Sequence, residues 1–152
     1  MRTGVRLALD IGSVRIGVAR SDATGTLAVP ETTLDARKDC LRTLSALVAE
    51  WEPLELIVGL PISLDGTEKA AAQKVREVVA TIVTELPDMP IRLVDERHTT
   101  TVAQTLMRDA GIATREGRRF VDQAAAVMML QQALDTERSS GQAPGELANG
   151  NS

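Results

Sequence analysis

Four acidic residues stand where a folded chain could gather them: Asp10 at the close of the apolar run VRLALD, Asp95 and Glu96 at the close of IRLVDE, and Asp122 just ahead of AAAVMML. Burying an ionised carboxylate is costly unless it is paired, hydrogen-bonded or bound to a metal. Taken singly, each acid has an ordinary explanation. Asp10 can accept hydrogen bonds from the turn that Gly12 and Ser13 begin, and Asp122 at the start of a helix can cap N–H groups and favour the macrodipole. Taken together, they point to a seat for a hard divalent cation, Mg2+ or Mn2+, which takes carboxylate oxygens and retains several waters. Without the ion such carboxylates would repel each other. Ions held this way can activate a water and stabilise the leaving oxygen of a phosphodiester, so no nucleophilic side chain is needed.

For the acids to meet, the elements that carry them must converge. Alternation in VRLALD puts Val5, Leu7 and Leu9 on one face of a strand and Arg6, Ala8 and Asp10 on the other. RIGVARSD alternates again and TLAVP resumes after DATG, which predicts a three-strand meander with Gly12 and Gly25 at its turns. Cys40, Leu41, Leu44, Leu47, Val48 and Trp51 recur at helical spacing, and LELIVGL reads as a buried strand. Val75, Val78, Val79, Ile82, Val83 and Leu86 predict an amphipathic helix that Pro87 ends, and IRLVDER follows as a strand.

Thr99 to Ala110 reads as a helix, capped by a hydroxyl of Thr99, Thr100 or Thr101 and stopped by Gly111. IATREGRRF has no strong periodicity and reads as a mobile loop. VDQAAAVMMLQQALDTE is the last helix, and Ala124, Ala125 and Ala126 would let it lie close to the sheet. The expected fold is α/β: a five-stranded mixed sheet, a three-strand antiparallel meander plus two parallel strands, flanked by helices. Residues 1–138 are expected to form one domain, and the small, polar stretch 139–152 a disordered tail.

Composition excludes several classes. The 152 residues carry a net charge of -4, so nucleic acid cannot be bound through overall positive charge. Trp51 and Phe120 are the only aromatics, which rules against a base-stacking platform and leaves backbone phosphate as the handle. Cys40 stands alone, so neither an internal disulfide nor a multi-cysteine zinc site is possible. No apolar stretch suits a signal h-region or a membrane span, so a soluble, cytoplasmic protein is expected.

DIGSVRIGVARSD, IVGLPISLDGTE, VDERHTT and VDQAAAVMML resemble, in order, the motif series of the YqgF/RuvX family, which is related to the RuvC-type Holliday junction resolvases. The resemblance runs from about Leu7 to Leu134. It implies an RNase H-like fold and a cytoplasmic, metal-dependent nuclease that processes the 5′ end of pre-16S rRNA, with Holliday junction resolution on branched DNA as the rival assignment. It also implies that Asp10, Glu96 or its neighbour Asp95, and Asp122 are catalytic metal ligands. The partner would be structured RNA or branched DNA, and the protein a monomer or homodimer. LELIVGL ends without an acid, so the middle ligand must come from VDER. In an extended IRLVDER, Asp95 shares a face with Arg97 and Glu96 points away, which favours Glu96 as the ligand. His98 reads as a half-exposed residue at the entry to a helix.

Arg115, Arg118 and Arg119 crowd the segment before Asp122, and a protein of net negative charge that holds phosphate needs such local cations. Arg15, flanking the second strand with Arg20, is a further candidate phosphate contact; its ordinary alternatives are pairing with an acid of the site or packing across the sheet. The Gly12 to Gly17 spacing lacks the Lys-Ser/Thr of a P-loop. Two rivals remain: an ATPase of the sugar-kinase, actin and chaperone type, which needs a second domain to clamp nucleotide, and a non-catalytic ribosome-assembly module that uses the acids structurally.

Overall fold

A computed structural model of the chain describes residues 1–95 and 115–148, with the backbone alone for 115–120. The elements are β1 (Arg6–Ile11), β2 (Arg15–Ser21), β3 (Ala28–Asp35), α1 (Cys40–Trp51), β4 (Glu55–Leu60), α2 (Ala70–Glu85), β5 (Ile91–Asp95), α3 (Arg115–Ser140) and β6 (Glu146–Leu147). They form a mixed sheet of order β3-β2-β1-β4-β5-β6. β1, β2 and β3 pair antiparallel as a meander, while β1, β4 and β5 run parallel. The carboxyl ends of the three parallel strands therefore share one edge, and Asp10 and Asp95 lie along it.

Alternation along the strands builds two layers. Leu7, Leu9, Ile16, Val18, Leu56, Val58, Ile91 and Leu93 line the face that packs on Leu44 and Leu47 of α1 and Val75, Val79 and Ile82 of α2. Each such side chain taken out of water contributes about 1.5–3 kcal/mol. The other face is built of small residues: Ala8, Ala19 and Ala28, with Ile57, meet Ala126, Met129, Leu130, Ala133 and Leu134 of α3. The alanines let α3 approach the sheet as the sequence predicts. The closest approach is at Gly17, where an added Cβ would run into the backbone carbonyl of Asp122. Antiparallel to β1, α3 crosses Gly17 at Asp122 and reaches Arg6 at Glu137 near its carboxyl end.

The structure corrects three expectations. Among the described residues the sheet has six strands where five were predicted, because Glu146–Leu147 adds to the edge of β5. The segment expected to be a tail from Ser139 onward instead ends α3 at Ser140, turns at Gly141 and Gly145, both at positive φ, and returns so that the Ala148 N–H donates to the Ile91 carbonyl at 2.7 Å. Glycine supplies those left-handed turns without a Cβ penalty, and backbone pairing needs no apolar side chains, which is why composition misses it. Arg115–Phe120, expected as a loop, belongs to α3. Arg and Glu are good helix formers, whereas periodicity registers only helix that buries an apolar stripe. Among the described residues no helix is long and apolar enough to cross a membrane.

Candidate functional site

Asp10 lies in β1 in the row of Arg6 and Ala8, the row that faces α3, and its partner across the antiparallel ladder is Gly17. Directly opposite side chains in such a ladder stand about 5 Å apart at Cβ. A Cβ on Gly17 would also sit 3.0 Å from the Cβ of Asp122. Asp10 and Asp122 thus flank the one position on β2 that has no side chain. The glycine is what lets α3 set Asp122 against the strand position that pairs with Asp10, more than a hundred residues away in sequence. Asp122 is seven residues into α3, beyond the reach of first-turn capping and of the macrodipole. Its Oδ2 instead accepts a hydrogen bond from Arg15 Nε at 2.6 Å, a pair with side chains 20% and 35% exposed.

Asp95 is placed differently. It ends β5 in the row of Ile91 and Leu93, which packs toward α1 and α2, whereas Arg92 and Val94 occupy the row that faces α3. Asp95 is therefore not in the row of Asp10. Glu96, Arg97 and His98, and the helix expected over Thr99 to Ala110, lie outside the described residues. So do the side chains of Arg115, Arg118 and Arg119, whose backbone forms the opening of α3. Among the described residues no three His, Cys, Asp or Glu side chains gather closely enough to hold a metal ion. The two that do gather are hard oxygen donors, the donor type that suits Mg2+ or Mn2+ when waters complete the shell.

At the opposite end of β1 lies a cluster that sequence reasoning missed. Glu55 and Glu137 are 1% and 3% exposed and Arg6 is wholly buried. Glu137 accepts from the backbone N–H of Arg2 at 3.0 Å, Arg2 Nη2 at 2.7 Å and Arg6 Nη2 at 3.0 Å. Glu55 accepts from Arg2 Nη2 at 2.6 Å and Arg92 Nε at 2.7 Å. The hydrogen bonds from Arg2 hold the Glu137 carboxyl at about 2, well below its ordinary value. Glu137 in turn raises the Arg2 guanidinium, while burial pulls Arg6 down. The signal was present: Arg6 and Glu55 each interrupt an apolar strand, and a buried charge requires a partner. Arg20, the other arginine of β2, is also engaged, lying 3.9 Å over the Trp51 ring and donating to Glu31 at 3.0 Å.

The RuvX family model, described as a Holliday junction resolvase, matches residues 4–136. A relative from Streptomyces coelicolor, named "Putative pre-16S rRNA nuclease", is 50% identical over 96% of this chain and 89% of its own length. A Nocardioides relative of the same name is 49% identical over 97% of both chains. Among solved structures, T. thermophilus RuvC in complex with a Holliday junction substrate superposes with a TM-score of 0.61 at 13% identity, covering 93% of this chain and 99% of that one. A second T. thermophilus RuvC structure gives 0.53 at 14% identity over 92% of this chain and 98% of that one. The ordered motifs, the mixed sheet with α3 across it and the match over residues 4–136 agree: this chain belongs to the RuvX family and has the RNase H-like fold of RuvC.

Proposed function

We propose that the protein is a divalent-metal-dependent nuclease of the cytoplasm that hydrolyses phosphodiester bonds in processing the 5′ end of pre-16S rRNA. Asp10, Glu96 and Asp122 are its catalytic metal ligands. The observation that carries this is the meeting of Asp10 and Asp122 around Gly17 on the face covered by α3. The shared name of the relatives favours pre-16S rRNA as substrate. Mg2+ or Mn2+, when bound, supplies charge stabilisation at the phosphate and a more acidic water.

The chain's own residues do the rest. Asp10 is fixed by the β1 ladder and Asp122 by the contact of α3 with β2. The placement of Asp95 in the row of Leu93 supports Glu96, its neighbour, as the third ligand. Positions 115, 118 and 119 precede Asp122 by seven, four and three residues and so fall on its face of the helix, which suits arginines that grip phosphate beside the acids.

The family description favours branched DNA as the second reading. A labelled precursor rRNA fragment and a four-way DNA junction, each incubated with Mg2+, Mn2+ or chelator, separate the two. Metal-dependent cleavage of the RNA is expected. Preferential cutting of the junction would establish the second reading, and cleavage that persists in chelator would contradict both.

A further inference from the structure

Arg15 and Asp122 touch through one nitrogen and one oxygen. Nε donates to Oδ2 at 2.6 Å, and among the described residues neither Nη of Arg15 nor Oδ1 of Asp122 has a hydrogen bond. An arginine that only neutralises a carboxylate commonly engages it as a two-pronged fork. Glu137 shows what a saturated carboxylate looks like in this protein, with both oxygens taken by two arginines. The Arg15 contact leaves one oxygen on the acid and two amino groups on the cation.

The backbone of Arg15 is anchored. Its carbonyl accepts from the Gly12 N–H at 2.9 Å to close the β1–β2 hairpin, and the Val14 carbonyl accepts from the Ala36 N–H at 2.8 Å. With Nε tied down, the guanidinium plane has little freedom left to lose on meeting a ligand. A chain of net charge -4 whose site gathers carboxylates must also offset their repulsion of a phosphate.

We infer that Arg15 forms a phosphate subsite: its Nε positions Asp122 while its two Nη groups receive the non-bridging oxygens of the nucleic-acid phosphate that lies between Asp10 and Asp122. This rests on the assignment of Asp122 as a metal ligand. Arg15 is then the residue that registers the scissile phosphate against the acids, apart from the arginines at the opening of α3, which would hold flanking phosphates.

The test is fluorescence-anisotropy binding of a labelled precursor rRNA fragment to the full chain in Ca2+ over a salt series. Arg15→Gln should weaken binding about tenfold and make the slope of log K against log[salt] shallower by about 0.7–0.9, the loss of one phosphate contact. Arg15→Lys should recover the slope but not the affinity, because one ammonium cannot hold Asp122 and fork a phosphate together; it also serves where the Gln variant fails to fold. Arg37→Gln, which removes an exposed partner of Asp35, should change neither. A wild-type slope in folded Arg15→Gln, or full recovery of affinity in Arg15→Lys, would overturn the inference. Calorimetric titration of Mn2+ into Asp122→Asn tests the underlying assignment separately: lost binding supports it, and retained binding refutes Asp122 as a ligand whatever the salt slopes show.

Discussion

Two points along α3 carry the same pairing of acid and arginine in opposite states. Asp122 and Glu137 are separated by about 22 Å of helix at 1.5 Å per residue. Glu137 is buried, with its oxygens satisfied by Arg2 and Arg6, and Arg2 links it to Glu55 and Arg92. Asp122 is one-fifth exposed, held by one nitrogen of Arg15, and close to a second carboxylate, Asp10. A saturated carboxylate has nothing left to bind and can only hold structure. An unsaturated one beside another acid is poorly arranged for stability, and that is the condition of a ligand.

The largest expected effect comes from breaking the saturated end. Glu137→Gln leaves the buried charge of Arg6 uncompensated, while Arg2 keeps Glu55, and should cost about 3–5 kcal/mol, a fall of roughly 10 °C in Tm for a domain of this size. Asp122→Asn should cost less, on the order of 1 kcal/mol, because Arg15 is 35% exposed and keeps water as a partner. Urea unfolding of the two variants measures the contrast, and equal losses would erase it.

Acid sharpens the same difference. Glu137 titrates at about 2 in the folded protein against an ordinary 4.5, so its folded value is depressed. Its contribution, on the order of 3 kcal/mol, is complete above pH 4.5 and fades as pH falls toward 2. The wild type should therefore lose more stability than Glu137→Gln between pH 6 and pH 3. Parallel curves would show that the cluster is not the acid-sensitive element.

Gly17→Ala tests the point of contact itself. The new methyl group meets the Asp122 carbonyl, and overpacking of this kind costs about 1–3 kcal/mol. Because it pushes Asp122 from Asp10, cleavage should fall by more than stability alone explains; a fall matched by unfolding would make Gly17 a packing residue only. The smallest effect is expected from removing residues 141–152. That deletes β6 and the Ala148–Ile91 bond beside Arg92, worth about 1 kcal/mol, and leaves cleavage unchanged. A loss above 3 kcal/mol would mean that β6 seals the buried cluster.

What the sequence showed and what it hid follow from what each signal reports. Periodicity reports burial, so the apolar rows of β1, β4, α1 and α2 were legible, and so was the close packing implied by Ala124 to Ala126. It was silent on Arg115–Phe120, where helix forms without an apolar stripe, and on β6, which is held by backbone pairing. Alternation puts Asp10 in the row of Arg6 and Ala8, which is the row that faces α3, and the pairing of Arg15 with an acid is among the readings its position allows. That Gly17 is the contact where Asp122 meets β2 could not be read, because one glycine in a strand signals close approach without naming what approaches. The Glu55 and Glu137 cluster was hidden because its members are spread from Arg2 to Glu137 and only the fold joins them.

The central claim is that the acids at Gly17 hold a cation for cleavage and are not needed for folding. Cleavage of labelled precursor rRNA in Mg2+ by Asp10→Asn, with the Tm of the same sample, tests it most directly. Cleavage should fall to the level seen in chelator while Tm stays the same or rises, since removing one charge relieves carboxylate repulsion. Wild-type cleavage by this variant, or loss of cleavage that accompanies a collapse in Tm, would contradict the account.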